Sequence, residues 1–287
     1  MSFPDGQCPS KPTGQICPRS HFIMDVIIMP SAAAAAKLTA QIIADAINEK
    51  PDFKLGLATG RTMESVYANL AKLNKQKKVD FSLVKTFNLD EYVGLPEKNV
   101  NSYRYYMNFH LFDKINIDKR NTHVPNGVAD DVDAAAEAYD DAIAECGGLD
   151  IQLLGIGRSG HIGFNEPLSS FASRTRAVTL TQITYQQNSP LFKNPKDMPM
   201  RAVTMGVGTI LEARRLVFLA TGEEKAAIVA KAIEGPVTSM ISATAMQLHE
   251  NVVAILDKEA AAKLANQDEY KWSFQHDPKW AAYQKVK

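Results

Sequence analysis

From residue 23 onward, apolar runs alternate with segments of helical periodicity. Residues 23–29 form an apolar run that predicts a strand, and Ser31 is placed to cap an alanine-rich helix over residues 32–48. Gly147 and Gly148 are placed to end a later helix over residues 133–146. The other predicted strands are 54–58, 84–89, 151–157, 201–207, 216–220 and 252–256, and the other predicted helices run from Thr62 to about 73, near 223–233 and over 258–265.

Strands that are continuous apolar runs separated by helices indicate a parallel sheet that is covered on both faces. The predicted fold class is therefore α/β, a Rossmann-like three-layer sandwich with a mostly parallel central sheet. We expect one α/β domain over residues 23–265. Residues 1–22 hold four of the fourteen prolines and no amphipathic period, which predicts a flexible N-terminal tail. Residues 266–287 are polar and aromatic and are expected to form a docked C-terminal extension.

Composition narrows the function classes. The 32 basic and 32 acidic side chains give a formal net charge of zero, whereas nucleic-acid-binding proteins usually carry a basic excess. No apolar run approaches the roughly 20 residues of a membrane span, and no basic segment followed by an apolar one opens the chain. The spacing of Cys8, Cys17 and Cys146 fits neither a disulfide framework nor a zinc site. We therefore expect a cytoplasmic protein with no metal, nucleic-acid or membrane partner.

Parallel sheets bind ligands beyond the carboxyl ends of their strands, so the residues that follow each strand are the candidates for chemistry. The turn at residues 59–62 opens a helix, which predicts either an anion site or an ordinary strand-to-helix turn. Asp90 and Glu91 follow the strand at 84–89, where they are either a general base and its neighbour or a helix cap and a surface charge. Lys225, at a helix start, opposes the helix dipole unless it faces a phosphate.

The segment at residues 155–167 contains a literal G-x-G-x-x-G after a strand. We reject a dinucleotide site, because Pro167 breaks the required helix and no acidic residue lies between Glu166 and Asp197. His161 and Glu166 remain on this glycine-rich loop. They are either a proton carrier with its orienting carboxylate or a structural pair.

Three segments resemble the glucosamine-6-phosphate deaminase (isomerase) family. They are TFNLDEYVGL (86–95), NSY (101–103) and GHIGFNEP (160–167), and the match continues in SRTR (173–176) and VGTIL (207–211). The resemblance implies an aldose-ketose isomerising deaminase that converts glucosamine 6-phosphate and water to fructose 6-phosphate and ammonia, without a cofactor. Because water enters the reaction, we class it as a hydrolase. The alternatives are galactosamine 6-phosphate as substrate, a sugar-phosphate lactonase, and a weakly active sugar-phosphate sensor. Family members range from monomers to hexamers, so a homo-oligomer is one of the open alternatives.

The resemblance also implies roles for individual residues. His161, oriented by Glu166 and contacted by Ser159, would move the proton that opens the sugar ring, and Asp90 would carry a proton from C2 to C1. Glu91 would support the site. The phosphate would lie on Thr59, Gly60, Arg61, Thr62 and Lys225, and Ser169 with Arg176 would belong to an effector site.

The chain departs from the family pattern at four positions. Arg61 replaces a small residue of the phosphate turn, whereas Pro190 stands where many members carry a lid arginine, in a lid segment at about 180–200. We therefore expect Arg61 to supply the phosphate-binding cation that the lid lacks. Ser159 replaces an aspartate or asparagine beside the histidine. Val178 replaces the lysine of allosteric members, so we expect no activation by an N-acetyl amino-sugar phosphate.

Overall fold

A computed structural model describes residues 24–285. The expectations for the N-terminal tail and for Cys8 and Cys17 lie outside the described residues. Cys146 is a free thiol.

Seven parallel strands form the central sheet in the order β1-β10-β9-β6-β2-β3-β5. Every pairing between them is parallel, as the apolar runs predicted, and helices flank the sheet in a three-layer α/β fold. The strands are β1 (Asp25–Met29), β2 (Lys54–Leu57), β3 (Lys85–Asn88), β4 (Asp90–Tyr92), β5 (Thr122–His123), β6 (Ile151–Leu154), β7 (Arg176–Thr179), β8 (Arg201–Thr204), β9 (Leu216–Ala220) and β10 (Val252–Asp257).

The helices follow local sequence signals closely where caps are clear. Ser31 accepts a hydrogen bond from the Ala34 amide at 3.2 Å and caps the first helix, as predicted. Gly147 (φ +85°) and Gly148 (φ +80°) follow the fourth helix with the left-handed backbone that favours glycine. The helices are α1 (Ala32–Glu49), α2 (Arg61–Lys75), α3 (Tyr103–His110), α4 (Val132–Glu145), α5 (Gln182–Asn188), α6 (Val207–Leu211), α7 (Ala226–Ile233) and α8 (Gln267–His276).

A second, three-stranded antiparallel sheet in the order β4-β8-β7 lies apart from the parallel sheet. One expectation is corrected by it. The predicted strand 201–207 is not part of the parallel set, because β8 pairs with β4 and β7 and ends at Thr204, after which Gly206 precedes α6. Residues 90–92, for which no secondary structure was predicted, pair with the edge of β8 and form β4. This sheet and the lid share a small core of their own.

The predicted helix at 258–265 is wrong. These residues form successive turns, in which the Asp257 carboxylate accepts the Ala260 amide and the Leu264 amide bonds to the carbonyl three residues earlier. Alanine-rich composition favours a helix there, but the amides of residues 260, 262 and 264 bond to the Asp257 carboxylate or to carbonyls three residues earlier, which is the pattern of turns. The chain then continues into α8, which packs on β1, and into Trp280, which is 3% exposed.

Candidate active site

Four neighbouring strands of the parallel sheet carry the candidate residues at their carboxyl ends. In sheet order these strands are β9, β6, β2 and β3. The chain places β3 and β5 on one side of β2, and β9 and β10 on the far side of β6, so the order reverses between β2 and β6. Such a reversal point opens a crevice in which α/β sheets bind ligands. The tertiary structure therefore brings the four separate sequence segments to one edge of the sheet.

The turn after β2 presents a row of backbone donors. Gly60 (φ +124°) precedes α2 and provides no side-chain cap. Within residues 24–285, the N–H groups of residues 59–62 donate to no other protein atom. Free N–H groups at the start of a 15-residue helix, together with its dipole, favour an anion at this turn.

Asp90 is a buried carboxylate at the site. It opens β4 opposite Thr204 of β8, and its side chain is 6% exposed. Burial, with a smaller contribution from the charge of Glu91, raises the pKa of Asp90 to about 8. No other described residue donates a hydrogen bond to its carboxylate. A carboxyl with this pKa is suited to take up and return a proton near neutral pH.

Glu91 points away from this role and holds α3. Its carboxylate accepts the backbone N–H groups of Tyr92 at 2.8 Å, Tyr103 at 2.9 Å and Arg104 at 2.9 Å. Burial raises the pKa of Glu91, although these hydrogen bonds oppose the rise. Of the two alternatives for this carboxylate pair, the geometry makes Glu91 a helix cap and leaves Asp90 free.

His161 lies in the loop after β6. Its Nδ1 is 2.8 Å from Ser159 Oγ and 3.2 Å from Glu166 Oε2. A Cβ at Gly157 would lie only 2.0 Å from His161 Nε2, so glycine at 157 is what allows the ring to lie over the backbone. The loop glycines thus serve to place an imidazole, not a dinucleotide.

Glu166 is held in its ionised form. Its burial raises the pKa, but the hydrogen bond and charge of His161, with the hydroxyls of Thr184 and Thr181, outweigh that effect and lower the pKa of Glu166 to about 2. The Thr181 amide also donates to Glu166 Oε1 at 3.4 Å. Because Thr181 caps α5, the start of the lid contacts the histidine pair directly.

Asp90 and the His161 loop meet at Gly163. A Cβ built on Gly163 (φ +55°) would lie 3.7 Å from Asp90 Oδ2 and 2.8 Å from Thr204 Oγ1. The Thr204 hydroxyl also accepts the Phe164 amide at 3.0 Å and so joins β8 to the loop. The Asp90 carboxylate therefore lies against the loop that carries His161, a residue 71 positions later in the sequence.

Lys225 reaches the same loop from the end of β9. Its Nζ donates to the carbonyl of Ile156 at 2.9 Å. Burial lowers the pKa of Lys225; the charge of Glu224 opposes this shift, whereas that of Arg158 adds to it. Lys225 is therefore a partly buried cation at the carboxyl ends of the strands. The sequence analysis expected such a cation to face a phosphate.

Two of the departures from the family pattern, Arg61 and the lid's Pro190, lie at the surface. Arg61 is exposed at the first position of α2 and makes no ion pair or hydrogen bond with the residues of the range 24–285. Pro190 is exposed in a 3₁₀ turn (Ser189–Leu191) that follows α5. The lid's Asn188 donates to the Tyr92 hydroxyl at 3.1 Å.

The two candidate effector residues contact each other. Arg176 donates to Ser169 Oγ at 3.2 Å and to Asn165 Oδ1 at 3.0 Å. Burial lowers the pKa of Arg176. Val178, two residues along β7, carries no charge into this region.

Sequence reasoning missed two tyrosines around the β2 turn. The Tyr106 hydroxyl donates to the Gly60 carbonyl at 2.8 Å, and Tyr67 donates to the Ala58 carbonyl. No local pattern marks either contact, because each joins a helix side chain to the backbone of the turn.

No described helix has the length and apolarity that a membrane crossing requires. Likewise, residues 24–285 contain no cluster of three or more histidine, cysteine or acidic side chains arranged to hold a metal ion.

Comparison with known proteins identifies the family. Residues 30–255 match the family described as glucosamine-6-phosphate isomerases/6-phosphogluconolactonase. This chain belongs to that family. Its relatives include the glucosamine-6-phosphate deaminases of Shewanella woodyi, 48% identical, and of Cellvibrio japonicus, 49% identical, each covering 86% of this chain and 94% of the relative.

Solved structures agree. The structure of a monomeric glucosamine-6-phosphate deaminase superposes with a TM-score of 0.82 and 43% identity, covering 84% of this chain and all of that one. A 6-phosphogluconolactonase from Trypanosoma cruzi, 21% identical with a TM-score of 0.67 over 85% of this chain and 98% of its own, shares the fold. These matches confirm the resemblance and the α/β fold class.

The expected classification as a hydrolase is wrong. The matching family is described as isomerases, and the relatives are named deaminases. The water that ends the reaction suggested the hydrolase class, but the reaction is defined by isomerisation and deamination.

Proposed function

We propose that this chain is a glucosamine-6-phosphate deaminase, which converts glucosamine 6-phosphate and water to fructose 6-phosphate and ammonia. The observation that supports the proposal is that the Asp90 carboxylate lies against Gly163, in the loop that carries the His161–Glu166 pair, at the sheet edge where the β2 turn has free N–H groups. Relatives with this name are 48–49% identical over 86% of the chain.

The phosphate is bound at the start of α2. The N–H groups of Thr59, Gly60, Arg61 and Thr62 bind its oxygens, and the helix dipole favours its charge. Lys225 approaches from β9 and supplies a cation. Anchoring the phosphate fixes the distance from C6 to the reacting carbons C1 and C2, which orients the sugar for proton transfer.

His161 opens the sugar ring. Its imidazole takes the proton of the C1 hydroxyl and gives one to the ring oxygen as the C1–O5 bond breaks, and the ionised Glu166 holds Nδ1 so that the ring keeps one orientation. Ser159 supplies a neutral hydrogen bond at the same nitrogen. The open-chain aldose then presents C1 and C2 to the buried carboxylate.

Asp90 carries out the isomerisation. It takes the proton from C2 and delivers it to C1, while the aldehyde oxygen at C1 gains a proton to become a hydroxyl and the amine nitrogen loses one, which leaves an imine at C2. Water adds to this imine and ammonia leaves, so the products are the ketose phosphate and ammonia. Burial of Asp90 serves this step, because a carboxylate with a raised pKa is a stronger base than an exposed one.

The test is ammonia release measured with a coupled assay on glucosamine 6-phosphate and on its galacto epimer. We expect turnover of the gluco substrate, and a loss of about 10²–10⁴-fold in kcat for Asp90→Asn and for His161→Gln, since each removes one positioned acid or base.

Three outcomes would contradict the proposal. Preference for the galacto epimer would mean that the substrate is galactosamine 6-phosphate. Hydrolysis of a sugar-phosphate lactone without ammonia release would make the chain a lactonase, and binding of glucosamine 6-phosphate without turnover would make it a sensor. The cytoplasmic location, the domain limits and a homo-oligomeric state stay predictions.

A further inference from the structure

Two tyrosine hydroxyls hold two carbonyls of the β2 turn. Tyr67 of α2 donates to the carbonyl of residue 58, and Tyr106 of α3 donates to the carbonyl of residue 60 at 2.8 Å. The same turn carries the free N–H groups described above. The turn whose N–H groups are free to bind a ligand is therefore fixed by hydrogen bonds to its carbonyl groups.

The bond to Gly60 has a defined geometric effect. A peptide group is planar, and its C=O and N–H point in opposite directions. The Gly60 carbonyl is fixed by the Tyr106 hydroxyl and by the Met63 amide at 2.9 Å. The N–H of Arg61 belongs to the same peptide group, so it must point away from α3, toward the open side of the turn.

Tyr106 is itself firmly placed. Its ring makes an edge contact with Tyr67 at 6.4 Å between centroids and lies 4.3 Å from the His110 ring. The helix that carries it is tied at its first residues to Glu91, next to Asp90. Burial, followed by the charge of Glu64, raises the pKa of Tyr106, so its hydroxyl keeps the proton that it donates.

Gly60 itself cannot provide this support. With φ at +124° it adopts a backbone that glycine occupies freely along with other conformations, so the turn depends on outside contacts to stay in one orientation. We propose that Tyr106 is a positioning residue for phosphate binding, which orients the Gly60–Arg61 peptide group and so the first donor of α2. The proposal rests on the proposed function, because that function places the phosphate at this turn.

The experiment compares Tyr106→Phe with Tyr105→Phe in the full chain. Tyr105 is the matched control, since it lies next to Tyr106 on α3, is 37% exposed and its hydroxyl bonds to no described residue. We measure kcat and KM for glucosamine 6-phosphate, and the dissociation constant of inorganic phosphate from the rise in unfolding temperature that it causes.

We expect Tyr106→Phe to raise KM and the phosphate dissociation constant about 3- to 10-fold, the loss that corresponds to one hydrogen bond, with kcat within about twofold. Tyr105→Phe should match the wild type in both. A fall in kcat of about 3- to 10-fold with unchanged KM would overturn the positioning role. Unchanged phosphate affinity in a folded Tyr106→Phe protein would overturn it as well.

The phosphate measurement separates this proposal from the proposed function. If the wild type releases no ammonia but Tyr106→Phe still weakens phosphate binding, the deaminase function fails and the role of Tyr106 stands. If the wild type releases ammonia and the variant binds phosphate normally, the function stands and the role of Tyr106 fails.

Discussion

At the scale of single residues, Asp90 shows how burial creates reactivity. A carboxyl in water is ionised well below neutral pH, whereas burial and the neighbouring Glu91 raise the pKa of Asp90 to about 8. A base must be ionised to act. In the free enzyme, the active fraction therefore grows about tenfold per pH unit below this pKa and levels off above it.

We predict that kcat/KM for glucosamine 6-phosphate rises with pH from 6 and levels off above about 8. Because the substrate amine also titrates, the assignment needs a direct measurement. In protein labelled with ¹³C at the aspartate carboxyls, one resonance should titrate near pH 8 and be missing in Asp90→Asn. A protein whose aspartate signals all titrate below pH 5 would contradict the assignment.

At the scale of elements, the start of α2 unites the dipole of a helix, free N–H groups and an exposed guanidinium. Arg61 makes no bond within the described residues that would compete with a ligand, whereas Pro190 brings no charge from the lid. A charge-assisted hydrogen bond contributes about 1.5–3 kcal/mol. We therefore expect the helix start and Arg61 to bind a phosphate without help from the lid.

We predict that Arg61→Ala raises KM about 10- to 100-fold and changes kcat little, because the bond is made equally in the ground and transition states. Lys72→Ala is the control, since it removes the same charge from the last turn of the same helix. An unchanged KM for Arg61→Ala, or an equal rise in both variants, would remove the specific role of Arg61.

At the scale of the whole molecule, the small antiparallel sheet joins the candidate effector residues to the site. Arg176 of β7 and Asp90 of β4 both lie opposite Thr204 of β8, in one cross-strand row. Thr204 therefore lies between a candidate effector residue and the Asp90 carboxylate in this sheet. The region of these candidate effector residues lacks a second positive charge for an anionic effector, because Val178 is uncharged. Arg176 is already bonded to Ser169 and Asn165.

We predict hyperbolic kinetics that N-acetylglucosamine 6-phosphate leaves unchanged. The measurement is the initial rate against glucosamine 6-phosphate concentration, with and without that compound. A sigmoidal curve that becomes hyperbolic when the compound is added would show that Ser169 and Arg176 suffice for activation.

Local patterns in the sequence were enough for six of the seven strands of the parallel sheet and for α1, α2, α4 and α7. The continuous apolar runs, the Ser31 cap and the glycines at 147 and 148 act within a few residues, so they can be interpreted without knowing the rest of the chain. His161, Glu166 and Asp90 were found for a related reason, since each follows a strand, and strand ends of a parallel sheet converge. The helix predicted at 258–265 is wrong although the composition favours one, because the amides there bond to the Asp257 carboxylate and to carbonyls three residues earlier.

Only the tertiary structure decided which carboxylate of the adjacent pair is free and how the phosphate turn is held. Glu91 caps α3 and Asp90 does not, because β4 pairs with a strand more than 100 residues away, and strand pairing alternates the two side chains between opposite faces. The hydroxyl of Tyr106 reaches Gly60 across 46 residues for the same kind of reason. A contact between distant segments depends on how the folded elements pack. A local pattern in the sequence does not show which of these residues will meet.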